Sequence, residues 1–355
     1  MTVGFVTNPD HAAHAAEGHP ERPERLDAAL ALLDECGLRA RLHEIAPRAA
    51  TDEELALVHP PAFVAALERA CAGGGGWVDA DTYLTPRSCA AARSAVGSTL
   101  AAVDAVCSGS VRSAFAAVRP PGHHASPAHA MGFCLLNNVA VAARYAQRRH
   151  GLEPFDGRRA ERVAIVDIDV HHGNGTQDAF YDDASVLYVS THQYPFYPGT
   201  GRPNETGAGE GAGTNVNIAM PAGCGDEQYV AAFESVVEPA VRRFRPELLL
   251  VSCGFDAHYA DPIAEQSLSV GGYGELTARL RTLAEELCDE RLVLALEGGY
   301  DLDAVSWGVR TVIEVMLGAS AGSGQATPTP DPLGPGPGGP DITQLLAEVR
   351  RLHGL

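Results

Sequence analysis

The sequence predicts an α/β protein: a single three-layer α/β/α domain around a mostly parallel central sheet. Three observations predict it. Short apolar runs recur along the chain with helical patterns between most of them, the alternation that builds parallel sheets. Several of these runs are near-continuous, as strands covered on both faces are. Polar, chemistry-bearing residues follow several runs directly, at the strand ends where open parallel sheets place ligands.

Strand-like runs occupy 4–7, 113–118, 163–170, 186–191, 215–219, 248–253 and 292–296. Helical periodicity covers 23–36, 52–71, 88–107, 138–150, 226–244 and 272–290. No internal repeat or charge block interrupts them, so 1–317 is expected to be one domain. The stretch 318–340 is dominated by Gly, Pro, Ala, Ser and Thr and reads as a flexible linker. Residues 341–355 read as a short amphipathic helix with Asp341 as its N-cap. That helix would dock on the core or on a second subunit, so an oligomer is compatible with it.

A chain of 355 residues, 45% apolar, has the material for a large core. It has no apolar run near the roughly 18 residues a membrane span needs. Its start lacks the basic and long apolar regions of a signal peptide. Eight cysteines without CxxC spacing read as buried free thiols, which together with the plain start predicts a cytoplasmic protein. Net charge is −19, from 45 acids against 26 bases, every base an arginine. This argues against a nucleic-acid partner, which needs a basic footprint. It suits a cationic substrate, and equally simple solubility.

The densest chemistry lies in Asp167-Ile168-Asp169-Val170-His171-His172-Gly173-Asn174-Gly175-Thr176. In an extended segment Asp167, Asp169 and His171 share a face, as ligands of one metal must. Carboxylate oxygens with one imidazole suit zinc or another divalent first-row ion. Two adjacent buried carboxylates without a cation would be costly. Asp256, just past the run 248–253, is the candidate third ligand, leaving a position open for water. His258 reads as a rim residue. His123 and His124 follow a Pro-Pro-Gly turn and are candidates for acid–base work near neutral pH. Gly132 allows close approach of backbone to a ligand, and Phe133 supplies a wall. The glycines Gly298 and Gly299 make a turn that aims the Tyr300 hydroxyl, a neutral donor suited to polarising a carbonyl.

Together these segments resemble the histone deacetylase superfamily, which has the arginase–deacetylase fold. The resemblance spans nearly all of 1–317 and rests on Pro-Pro-Gly-His-His, Gly-Phe-Cys, Asp-x-Asp-x-His-His-Gly-Asn-Gly-Thr, Gly-Phe-Asp-Ala and Glu-Gly-Gly-Tyr. Asn174, the His258 form of its motif, and the stretches 18–25 and 79–83 look like the class II branch and its bacterial relatives. The resemblance implies hydrolysis of acylated amines, with one catalytic zinc held by Asp169, His171 and Asp256. His124 would be general base and then acid. His123 would be its electrostatic partner, oriented by Asp167. Asn174, where some relatives carry aspartate, would hold His124 less strongly as a cation. Tyr300 would donate to the carbonyl oxygen.

It also implies a potassium or sodium ion at Asp167, Ser190 and Thr191, with the carbonyls of Asp169 and His171. Gly132, Phe133, Tyr197, Ile263, Gly298 and Gly299 would line a substrate tunnel. Arg25 would line an internal cavity, and Asp79 or Asp81 would meet substrate at the rim. The substrate would be a protein acetyl-lysine or an acetylpolyamine; Ile263 stands where one polyamine branch carries glutamate. An acetoin-utilisation-type deacetylase is a related reading, and a catalytically silent acyl-lysine-binding module a different one. Two-metal ureohydrolase chemistry is disfavoured, because the Asp256 segment supplies a single acid.

Overall fold

A computed structural model describes residues 2–150, 162–318 and 332–355. The strands are β1 (Val3–Thr7), β2 (His43–Glu44), β3 (Gly76–Trp77), β4 (Tyr83–Leu84), β5 (Ser113–Ala117), β6 (Val163–Asp167), β7 (Val186–Gln193), β8 (Asn215–Met220), β9 (Leu248–Cys253) and β10 (Leu292–Leu296). The helices are α1 (Glu24–Glu35), α2 (Asp52–Leu55), α3 (Pro61–Ala72), α4 (Ser88–Cys107), α5 (Asn138–His150), α6 (Asn174–Phe180), α7 (Asp226–Ala232), α8 (Glu238–Phe244), α9 (Val270–Leu287), α10 (Leu302–Met316) and α11 (Thr343–His353).

Eight strands form one sheet in the order β2-β1-β5-β10-β9-β6-β7-β8, and every pairing in it is parallel. The period of two sorts each strand's residues to opposite faces. Phe5, Phe115, Ala164, Val166, Leu249, Val251 and Leu294 pack under α1, α7, α8, α9, α10 and α11. Val6, Ala114, Ile165, Leu250 and Val293 pack under α2, α3, α4 and α5. This is the expected three-layer domain. A separate antiparallel pair, β3 with β4, forms a small hairpin carrying Asp79 and Asp81.

Several sequence-predicted elements differ, each for a local reason. The helix expected over 52–71 is two helices, because Pro60 and Pro61 cannot continue one. The helix over 226–244 contains a π-turn, Phe233–Val237, two residues before Pro239. The strand over 163–170 stops at Asp167. Helices α6 and α10 carry signals that periodicity overlooked; Asp301 caps α10 by accepting the Ala304 N–H at 2.8 Å. Asp341 is not the N-cap of α11. That position is Ile342, and Asp341 instead accepts the Thr343 N–H at 2.9 Å.

Most of the linker expected over 318–340 lies outside the described residues. Beyond it the chain is held down. The Tyr259 hydroxyl donates to the Leu333 carbonyl, and a Cβ on Gly336 would come within 2.2 Å of the Ser267 carbonyl. Leu346 and Val349 of α11 join the core beside β8, so this helix docks on its own domain.

The interior sets an acid limit. His14, His59 and His192 are buried neutral, each pushed down to about 4 chiefly by burial. His59 shows why: Nδ1 faces the Pro127 carbonyl at 3.0 Å, while Nε2 accepts the Asn137 N–H at 2.9 Å. A second ring proton would break that bond. At these three rings the folded state therefore binds fewer protons than the unfolded chain between about pH 6.5 and 4, opposed in part by the buried carboxyls of Asp261 and Glu297, each raised to about 7. The contribution is full above about 6.5 and is lost as pH falls through that window, at up to about 4 kcal/mol per pH unit for all three. Melting temperature should drop steeply there in a pH series followed by circular dichroism. A flat profile would contradict the assignment.

Candidate active site

The chemistry gathers at the carboxyl ends of β5, β10, β9 and β6, four neighbours in the sheet. Asp169, His171 and Asp256 each place a ligand atom within 4.8 Å of the others, all buried. His171 Nδ1 lies 3.2 Å from Asp169 Oδ1 and 3.3 Å from Asp256 Oδ2. Asp167 is not part of this group, so the one-face expectation fails. The strand ends at Asp167, the period of two ends with it, and the Asp167 carboxylate turns to His123 instead.

The trio is built into backbone. Asp169 Oδ2 accepts the Gly298 N–H at 2.8 Å, and Asp256 Oδ1 accepts the Val170 N–H at 2.9 Å. A Cβ on Gly254 would come within 2.0 Å of Asp169 Oδ2, and one on Gly298 within 2.0 Å of Asp256 Oδ2. Only glycine fits there. Burial and the neighbouring Asp169 raise the Asp256 carboxyl. Burial opposes ionisation of Asp169 too, yet His123 and His171 hold it far below its ordinary value. Burial pushes His171 down, but its bonds to the two acids lift it to about 9. Beyond its 3.3 Å approach to His171 Nδ1, the buried Asp256 Oδ2 makes no hydrogen bond. An orphaned carboxylate oxygen in a two-carboxylate, one-imidazole set fits a divalent ion such as zinc.

His123 and His124 lie side by side, ring centroids 4.0 Å apart. His123 Nδ1 is 3.1 Å from Asp167 Oδ2, which also accepts the Tyr188 hydroxyl at 3.0 Å. Burial alone would depress His123; Asp169 and Asp167 override it and hold the ring well above its usual value. His124 Nδ1 is 2.8 Å from Asn174 Oδ1. Burial, then the charges of His123 and His171, push His124 well below its usual value. Two adjacent imidazoles thus have opposed proton affinities, His123 biased toward the cation and His124 toward the free base.

Tyr300 follows the turn after β10, where Gly299 has φ +112°. Its N–H donates to Asp261 Oδ2 at 2.7 Å, and the Arg25 guanidinium lies 4.8 Å from its ring centre. Burial keeps the phenol protonated. Phe133 stands edge-on to Tyr300 at 5.7 Å, and Tyr197 edge-on to His124 at 5.2 Å. Gly132 and Phe133 both take positive φ, 56° and 67°. For a bulky residue such as Phe133 that is a real departure. The Phe133 N–H is held by Thr82 Oγ1 at 3.0 Å. Ile263 is half-buried in the turn after Asp261. A groove of about 540 Å³ reaches Tyr300 between residues 15–24 and Pro262.

Other expected residues fall differently. Ser190 and Thr191 lie beside the end of β6, Ser190 in register with Asp167. The Ser190 hydroxyl meets His192 Nδ1 at 2.8 Å, and the Thr191 hydroxyl donates to the Asp167 carbonyl at 3.4 Å. His258 is not a rim residue. It is 1% exposed, and its Nδ1 accepts the Ala260 N–H. Arg25 is fully buried and donates to the carbonyls of Gly299 and Glu297 and to Glu21.

Sequence reasoning overlooked the residues that hold these parts in place. Glu21 binds Arg119 with both oxygens and Arg25 with one, joining the turns that carry His123 and Tyr300. Asp261 secures the Tyr300 backbone, and burial beside Asp256 raises its carboxyl to about 7. The alternating charges of 21–25 were the visible signal for the first. Nothing marked the second.

This sheet, with acids, imidazoles and a phenol converging on its carboxyl edge, is the arginase–deacetylase fold. The chain belongs to the histone deacetylase family: the histone deacetylase domain model matches residues 19–316. The crystal structure of the HDA15 HD domain superposes with a TM-score of 0.87 at 37% identity, covering 99% of this chain and 94% of that one. A probable deacetylase of Archaeoglobus fulgidus is 40% identical, over 85% of this chain and 82% of its own. The histone deacetylase-like amidohydrolase of Pseudomonas aeruginosa is 41% identical, over 86% and 78%. The chain is thus a hydrolase of a deacetylase and amidohydrolase family. Among the described residues no helix is long and apolar enough to cross a membrane.

Proposed function

We propose that the protein is a zinc-dependent deacetylase that removes acetyl or other short acyl groups from lysine side chains or related amines. One observation carries this reading: the ligand trio sits beside a histidine pair of opposed proton affinity. Asp169, His171 and Asp256 would hold the zinc. When bound, zinc supplies a Lewis acid that polarises the acyl carbonyl and makes water a better nucleophile.

The chain's own groups do the rest. His124, neutral and held at Nδ1 by Asn174, takes the proton of the attacking water at Nε2. His123, charged and fixed by Asp167, stabilises the negative charge that develops. The Tyr300 hydroxyl donates to the tetrahedral oxyanion. His124 then returns its proton to the departing amine. Phe133 and Tyr197 exclude water and align the alkyl chain. A monovalent ion near Asp167, Ser190 and Thr191 belongs to the same reading.

The test is hydrolysis by zinc-loaded protein of a fluorogenic acetyl-lysine peptide, N-acetylputrescine and N-acetylspermidine. Turnover of the peptide alone would assign protein acetyl-lysine; turnover of the amines alone, acetylpolyamines. No hydrolysis of any acyl amine with zinc bound would leave a silent binding module. Tyr300→Phe should lower kcat by about 10²–10³, the cost of one oxyanion donor. An unchanged kcat would remove Tyr300 from the mechanism.

A further inference from the structure

A second cluster lies next to the ligand trio. His123, Cys134 and Glu297 each present a ligand atom within 4.8 Å of the others, and all three are buried. They arrive from the turn after β5, the Gly-Phe-Cys loop and the end of β10. Glu297 is 0% exposed and is held by neutral donors. Its Oε2 accepts the N–H groups of Gly122 at 2.6 Å and His123 at 3.2 Å, and its Oε1 accepts the Ser252 hydroxyl at 3.3 Å. A buried carboxylate so placed is costly unless a proton or cation joins it. Asp167, Asp169, Asp256 and Glu297 form one buried group of acids.

The donors suit a metal. With Nδ1 of His123 facing Asp167, Nε2, which lies 3.7 Å from Asp169 Oδ1, is the nitrogen left to bind, the carboxylate–histidine arrangement of many metal sites. Thiolate, imidazole and carboxylate together are typical zinc donors, with one position open. The sulfur makes this cluster softer than the Asp-His-Asp trio. We propose that His123, Cys134 and Glu297 form a second, inhibitory site for a thiophilic divalent cation such as zinc or cadmium. Binding releases the Cys134 thiol proton, and any proton on His123 Nε2, to solvent. It also removes His123 from its role beside His124. The site stands independently of the deacetylase reading; the inhibition rests on it.

The test titrates metal-free full-length protein with Zn²⁺ and, separately, with Cd²⁺. Bound metal is counted, and the thiolate-to-cadmium charge-transfer absorption is followed in the ultraviolet. Wild type should retain two equivalents and Cys134→Ala one. The second equivalent of Cd²⁺ should bring up this band in wild type, a readout that needs no variant to fold, and Cys134→Ala should lack it. Hydrolysis should rise through the first equivalent and fall through the second. No band through the second equivalent in wild type would overturn the site. The band with undiminished hydrolysis would overturn the inhibition.

Discussion

His124→Ala is expected to lower kcat by about 10²–10⁴, the range for a positioned acid–base group. The ring is the neutral member of the pair, depressed by burial and by the charges beside it, and so is the one able to take a proton. It is not among the proposed zinc ligands, so metal content should stay at the wild-type level. Some stability should go as well. Asn174 Oδ1 loses its ring partner in a buried setting, which costs about 1–3 kcal/mol. Steady-state kinetics beside metal analysis and thermal melts separate these effects. A loss below tenfold with zinc in place would assign the proton to another group.

Asp256→Asn should have an effect of similar size by a different route. It removes one of two carboxylates from the trio. Zinc affinity should fall by more than the roughly 10–100-fold that losing an outer partner costs. Activity at limiting zinc should fall with it and recover in part as zinc is raised. The metal-free protein should respond in the opposite sense. Its Asp256 carboxyl is raised by burial and by Asp169, so a neutral amide removes repulsion there. The amide oxygen can still accept the Val170 N–H. The metal-free variant should melt no lower than metal-free wild type, while zinc should raise the wild type's melting point much more. Equal zinc stabilisation of both proteins would refute Asp256 as a ligand.

Much of this architecture was legible because its signals are local. Continuous apolar runs marked the seven longer strands of the sheet, and their order along the chain marked a parallel layer. The two-residue strand β2 carried no periodicity to read, and two prolines divided what looked like one helix over 52–71. At the site, residue types were visible but directions were not. Alternation put Asp167 with the metal because it assumed that the strand continued; the backbone leaves the strand at Asp167, and the side chain finds His123. His258 looked like a rim residue because the sequence does not say that the turn after Asp256 folds inward. Glu21 and Asp261 act through neighbours distant in the chain, Arg119 and Tyr300, so no local pattern could name them.

The position of β10 has a consequence for how the molecule is made. It is the last strand among the described residues, yet it sits between β5 and β9 in the middle of the sheet. Until it emerges, β2-β1-β5 and β9-β6-β7-β8 have no hydrogen-bonded seam between them. Such late, long-range pairing slows folding and keeps intermediates open. The same strand delivers Gly298 to Asp169 and Tyr300 to its place. Closing the sheet and completing the site are therefore a single event in biosynthesis. A nascent chain stopped short of residue 292 would have the histidines and the acids of the trio, but neither a closed sheet nor the phenol.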